Sequence, residues 1–255
     1  MARKGSSSGR PLRIPRSTQD GWILGLGSTL QPLYEELKRV VCEGEVLFTD
    51  DTVVRLIEPG LGKTRQARMW IYIRGDPGPP LVVFDFTQDR RKERPLEFLG
   101  NFQGYIHADA YSGYDELFNR KGVIEVGCWA HTRRRFVTAM TSRPKEASEA
   151  ISRIAELYKI EREVRGRSPE ERFLARQQEA LPSLDPLFDR FEKILVETTP
   201  AEPLTKAIHY ALNQRDALYR YTKNGRLEVD NNTAENAIRP LAVGRNYAES
   251  LIMRN

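Results

Sequence analysis

The sequence predicts an α/β fold: a mixed five-stranded sheet with flanking helices and a helical insertion. Three observations predict it. Five runs rich in β-branched, aromatic and aliphatic residues lie between residues 45 and 126. Turn and helix signals separate them in the order β-β-β-α-β-α-β. From Trp129 onward the apolar residues recur at helical rather than alternating spacing.

That order, an antiparallel meander joined to a parallel βαβ portion, is the ribonuclease H-like pattern. In it the first strand and the end of the fourth present carboxylates side by side. The 255 residues are enough for an ample core. An excess of 40 Lys+Arg over 35 Asp+Glu suits an anionic partner without proving one. Cys42 and Cys128 are the only cysteines. That excludes a disulfide scaffold or Cys-rich zinc module and points to a reducing compartment. No apolar run approaches the roughly 20 residues of a membrane span, and no apolar segment follows the N-terminal basic residues as in a secretory signal. The expectation is a cytoplasmic protein with no membrane partner.

Residues 1–17 hold Arg3, Lys4, Arg10, Arg13 and Arg16, no acid, and a Ser/Gly run. They read as a flexible basic arm, either solvated or touching nucleic acid. A helix is predicted from Ser28, with Leu33, Leu37, Val40 and Val41 on one face and Gly44 as its stop. Arm and helix occupy residues 1–43. The core's first part, 44–142, opens with a strand over Glu45–Ile57 interrupted by Asp50 and Asp51. Either the strand ends at Thr49 and turns, or it carries a buried carboxylate that needs a cation or donor facing it. Strands at Met69–Ile73 and Leu81–Phe86 follow, set off by Pro59-Gly60 and Asp76-Pro-Gly-Pro-Pro80. A short helix at Pro95–Phe102 leads to a strand over Gly104–Tyr111, which delivers Asp109. A helix near Tyr114–Asn119 and a strand at Val123–Val126 complete the sheet.

Residues 143–224 read as a helical insertion. Three apolar stripes have helical spacing, among them Leu184, Leu187, Phe188 and Phe191. Ser168-Pro-Glu-Glu171 is a capping box with Pro at the first helical position, and Thr199-Pro-Ala-Glu202 repeats the device. Residues 225–255 return to the core with a helix carrying Glu235 and an atypical C-terminus. Glu235 has two readings. It closes a capping box with Asn232, or it is a third acid beside Asp50 and Asp109. Two-metal phosphoryl transfer needs acids from separate elements to hold ions roughly 4 Å apart.

Several ordered blocks add to this: Val46-Leu-Phe-Thr-Asp-Asp-Thr52, Pro59-Gly-Leu-Gly-Lys-Thr64, Val83-Phe-Asp-Phe86, Ile106-His-Ala-Asp-Ala-Tyr-Ser-Gly-Tyr114, Gly127-Cys-Trp-Ala-His131 and Asp230–Pro240. Through them the chain resembles the insertion sequence 66 family of bacterial DDE transposases, from about Pro15 to Arg245. The resemblance implies a catalytic and metal-binding triad of Asp50, Asp109 and Glu235, holding two Mg²⁺ or Mn²⁺ ions. It also implies strand cleavage and strand transfer on double-stranded DNA, both transposon ends and target, by a homo-oligomer. Three blocks depart from the family pattern: Asp51-Thr52-Val53 stands for Glu-Thr-Pro, Ala110 for Gly and Asn236 for Arg. The family's N-terminal coiled-coil, zinc-binding and helix-turn-helix parts have no match here, and Asn246–Asn255 reads as foreign. The expectation is therefore an isolated catalytic core truncated at both ends. The alternative is a catalytically inactive remnant that only binds DNA or interferes with other subunits.

Cys128 and His131 supply two metal ligands, too few for a tetrahedral site. They read as packing residues or, by the resemblance, as accessory to the active site. His107 reads as a packed strand residue. The candidates for DNA contact are Lys63, Arg133, Arg134, Arg135 and Arg239, with Arg90-Arg-Lys92 a further cationic loop. Pro59–Thr64 lacks the spacing of a phosphate loop, so ATP binding is not expected.

Overall fold

The computed structural model describes residues 14–57, 64–75 and 78–252. Most of the basic arm, and Lys63, lie outside the described residues. Helix α1 (Arg16–Val41) starts well before Ser28. The period is hidden there because no face is buried: Trp22, Ile23, Leu24 and Leu26 are all exposed, as is Leu33. Only the C-terminal half packs, through Tyr34, Leu37 and Val41.

Strand β1 (Val46–Ile57) runs straight through both aspartates. It pairs antiparallel with β2 (Thr64–Arg74), from Leu47 opposite Arg74 to Ile57 opposite Thr64. That long pairing extends β2 beyond the apolar run Met69–Ile73. Strand β3 (Leu81–Thr87) adds antiparallel to β2. Helix α2 (Glu93–Leu99) precedes β4 (Gly104–His107). This strand stops short of Tyr111 because Ala110 sits at φ 60°, a left-handed conformation that ends the extended run. A 3₁₀ turn at Ser112–Tyr114, α3 (Asp115–Phe118) and β5 (Val123–Val126) follow. β1–β4 and β4–β5 are parallel, and the sheet order is β3-β2-β1-β4-β5.

Residues 143–224 contain helices and turns, with no strand among them. After α4 (Trp129–Ala139) come α5 (Pro144–Glu163), α6 (Pro169–Ala175), a π-turn over Arg176–Ala180 and α7 (Leu181–Leu195). Then come α8 (Pro203–Asn213), α9 (Arg215–Tyr219) and a 3₁₀ turn at Arg220–Lys223. Both bonds of the Ser168–Glu171 capping box form. The Thr199 box differs. Glu202 accepts from the Thr199 N–H and hydroxyl, but the helix begins only at Pro203. Helix α10 (Asn232–Ile252) is the last element among the described residues. Among the described residues no helix is long and apolar enough to cross a membrane.

Alternation along the strands splits the core in two. Leu47, Trp70, Tyr72 and Ile106 face α1, α2 and α3. Val46, Phe48, Ile71 and Ile73 face α10 and a cluster of insertion helices, including Phe188 and Phe191. Each such buried side chain stabilises the fold by about 1.5–3 kcal/mol. Arg176, fully buried, binds Glu161 through both Nε (2.8 Å) and Nη2 (2.7 Å) and donates to the carbonyls of Tyr221, Asn224 and Leu227. Gly225 lies so close to α6 that an added Cβ would meet the Pro169 carbonyl oxygen at 1.7 Å. These contacts fix the segment that leads into α10, and so set where Glu235 emerges.

Candidate active site

β1 and β4 run parallel with Phe48 opposite His107, and the two rings stack at 4.4 Å. His107 is buried, its Nε2 accepting from the Glu228 N–H at 3.4 Å, and burial pushes its pKa down to about 3. It is packed in the strand against Phe48, as its sequence context indicated. Two residues beyond this pair stand Asp50, still in β1, and Asp109, just past the end of β4, so the register delivers both to the same end of the sheet.

Asp50 and Asp51, as neighbours on a strand, point to opposite faces. Asp51 turns to the α1–α3 side, where its buried carboxylate meets Arg68 (2.9 Å) and Arg90 (2.7 Å). Asp50 turns to the α10 side and accepts only the Asp51 N–H, at 2.8 Å, among the described residues. Burial raises its pKa to about 7, and the negative charges of Asp109, Asp51 and Glu235 add to the rise. Asp109 accepts the Tyr111 N–H at 3.2 Å and lies 3.7 Å from Arg90. Arg90 thus spans Asp51 and Asp109 while its guanidinium sits 3.9 Å over the Tyr111 ring. This clamp was missed in the sequence, where Arg90 belonged to a cationic loop read as a solvated face or a DNA-binding surface. Its neighbours are also committed, Arg91 and Arg94 to Asp89 and Lys92 to Glu116.

The capping-box reading of Glu235 does not hold. The Asn231 carbonyl accepts the first helical N–H groups of α10, from Ala234 and Glu235. Asp230 accepts the Asn232 N–H at 3.0 Å and the Tyr158 hydroxyl at 2.8 Å. With the helix start satisfied by these residues, the Glu235 carboxylate instead reaches α4, where Oε2 meets Arg134 at 3.0 Å and Oε1 lies 3.4 Å from His131 Nδ1. The buried Asn231 ties the two halves of the site together. Its Nδ2 donates to the Thr49 carbonyl at 2.8 Å, one residue before Asp50, and its N–H donates to Cys128 Sγ at 3.3 Å.

The three acids therefore sit in one region, but not as one tight cluster. Among the described residues, the donor atoms that all lie within 4.8 Å of one another belong to Cys128, His131 and Glu235. Of the proposed DNA contacts, Arg133 and Arg239 are exposed. Arg134 is engaged by Glu235, and Arg135 stacks on Tyr210 at 3.9 Å. Arg133, Arg134 and Arg162 line a cleft of about 530 Å³ beside Tyr158 and Asn232. The sequence did not single out Arg162, and Tyr158 read only as part of the apolar face of α5 with its charged back.

Comparison with known proteins covers nearly the whole chain. It is 34% identical over 247 residues to the uncharacterized protein y4qI of Sinorhizobium fredii, covering 92% of this chain and 46% of that protein. It is 31% identical over 251 residues to y4jD of the same organism, covering 93% and 49%. The chain thus spans a little under half the length of these curated relatives. The profile of the family described as Transposase IS66 matches residues 7–252, which takes in most of the C-terminal stretch that the sequence reading set apart. The chain belongs to the IS66 transposase family.

Proposed function

We propose that this chain is the catalytic core of a DDE transposase with a ribonuclease H-like fold, cleaving and joining DNA strands during transposition. In this reading Asp50, Asp109 and Glu235 hold two Mg²⁺ or Mn²⁺ ions. The observation that carries it is Asp50. A carboxyl group stands half-buried mid-strand among like charges, with no cation beside it among the described residues. A sheet residue serving stability alone would be apolar or paired, as Asp51 is. Oxygen donors from a strand, a loop and a helix suit hard divalent ions, whose charge would relieve the crowding. Such ions, when bound, activate the attacking water or 3′-hydroxyl and stabilise the leaving oxygen.

The chain's own residues position these donors. Arg90 holds Asp109, Asn231 fixes α10 against β1, and Arg134 orients Glu235. Arg133 and Arg239, exposed on α4 and α10, offer contacts to the phosphates of double-stranded DNA. The order β3-β2-β1-β4-β5 supports the fold assignment. A homo-oligomer acting in the cytoplasm, with one active site for each transposon end, completes the reading.

The test is cleavage of a duplex carrying the element's terminal sequence, taken from the DNA that flanks its gene. Protein with Mg²⁺ or Mn²⁺ should cut at the boundary, and Asp50→Asn, Asp109→Asn and Glu235→Gln should each abolish cutting. Cutting that survives chelation, or survives these substitutions, would overturn the assignment.

A further inference from the structure

Beyond that triad, we propose that Cys128, His131 and Glu235 form a second metal site, of the soft type that takes Zn²⁺. The site shares Glu235 with that triad and adds Cys128 and His131, which the transposase reading holds only as accessory; Asp50 and Asp109, which belong to the triad alone, let the two be tested apart. Its three donors come from the start of α4 and the first turn of α10, and all lie within 4.8 Å of one another. Sequence spacing presented only the pair Cys128 and His131; the third donor arrives from more than a hundred residues away.

Two of the three donor atoms make no hydrogen bond and meet only each other. His131 Nδ1 and Glu235 Oε1 are both buried and make no hydrogen bond, although only 3.4 Å separates them. An orphaned buried donor or acceptor costs about 1–3 kcal/mol, so two that face one another call for something between or beside them. The third atom, Cys128 Sγ, already accepts the N–H of Asn231 at 3.3 Å and the backbone N–H of His131. N–H groups aimed at a sulfur are what a metal-bound thiolate requires around it. The surrounding charges are mixed: Asp230 reaches Cys128, and Asp109 reaches His131 together with Arg134 and Arg135. Arg134 engages the other carboxylate oxygen, Oε2, and so orients Oε1 toward the cluster.

One thiolate, one imidazole and one carboxylate are the ligands of a zinc site that keeps one position open. They are a poor set for Mg²⁺, which demands oxygen donors in octahedral array. Binding would release the Cys128 thiol proton to solvent as the sulfur–metal bond forms, so no oxidant or reductant is involved.

Co²⁺ serves as the probe because a thiolate bound to it gives a charge-transfer absorption that oxygen ligands do not. The titration uses the full chain carrying Cys42→Ser, which removes the other thiol. The expected result is a band that saturates at one equivalent and is bleached by Zn²⁺. Cys128→Ser should remove it, and His131→Ala should weaken Co²⁺ binding by tenfold or more. The double variant Asp50→Asn/Asp109→Asn should keep the band, which separates this site from the one that needs the two aspartates. Should the buried Cys128→Ser variant fail to fold by circular dichroism, His131→Ala carries the test alone. No band in the folded protein, a band indifferent to both substitutions, or one lost with Asp50 and Asp109 would overturn the proposal.

Discussion

Replacing Asp50 with Asn should make the metal-free protein more stable, and increasingly so as pH rises. In the fold its pKa is lifted from 3.8 to about 7, by burial first and by the neighbouring carboxylates next. Between about pH 4 and pH 7 the folded chain keeps a proton that the unfolded chain has released. Stability contributed by this group is therefore greatest at low pH and is lost as pH climbs toward 7. A gap of about three pH units, at about 1.36 kcal/mol each, gives about 4 kcal/mol of destabilisation above pH 7. Asn keeps the shape and the oxygen that accepts the Asp51 N–H, but carries no charge. At pH 8 the variant should gain about 4 kcal/mol, on the order of 8–16 °C in melting temperature for a chain of this size. Near pH 4 the gain should vanish. Thermal melts of both proteins in EDTA, followed by far-UV circular dichroism from pH 4 to 8, measure it. A gain independent of pH, or a variant less stable than wild type at pH 8, would refute the reasoning.

Ala110→Gly should stabilise the protein by about 0.5–1 kcal/mol, because the left-handed φ of 60° penalises a Cβ by more than glycine's extra chain entropy costs; urea denaturation midpoints check it. Arg176→Met should cost about 3 kcal/mol. It strands Glu161 and three carbonyls, with Arg172, 3.6 Å from Glu161, compensating in part; the same denaturation series measures it. Asn231→Ala should lower stability by only about 1 kcal/mol, since one hydrogen bond to Thr49 is lost while an unpartnered buried oxygen is also removed. Cleavage of the terminal duplex should nevertheless fall at least tenfold, because α10 is no longer fixed beside Asp50; rates and melts measured on one preparation separate the two effects.

Much of the sheet was legible because its signals are local. The run Val123–Val126 is a strand at those residues, and β1 and β3 lie within a residue of where β-branched and aromatic density put them. The insertion's helices were legible for the same reason, through apolar stripes that become the buried faces of α5, α7 and α8. The misses arise where a distant partner decides. β2 is longer than its apolar core because β1 pairs along all of it. β4 is shorter than its apolar pattern because one residue takes a left-handed conformation. The N-terminal half of α1 left no periodic trace since it buries no face. Within the site, Arg176 with Glu161, Tyr158 with Asp230 and Arg90 with Asp51 carry no sequence signal, each pair being two residues of common type on separate elements.

The adjacent pair Asp50-Asp51 illustrates how little a residue type says before the fold assigns it a face. Both residues lie in one apolar strand, and desolvation works against either. One residue's difference in register sends Asp51 toward Arg68 and Arg90, where two guanidinium groups offset the burial. It sends Asp50 toward α10, where the charges that meet it are of its own sign. Conventional folding forces cannot favour the second arrangement over a valine in the same place. The sheet tolerates it because the rest of the strand is well packed: Val46, Leu47 and Phe48 are buried on both faces immediately before it. A carboxylate kept destabilised in this way binds a proton or a cation more strongly than a comfortable one would. The same logic applies across the helix start at Cys128, where orphaned nitrogen and oxygen atoms face a buried sulfur. In both places the unmet interaction, more than the residue identities, is the ground on which a bound cation is proposed.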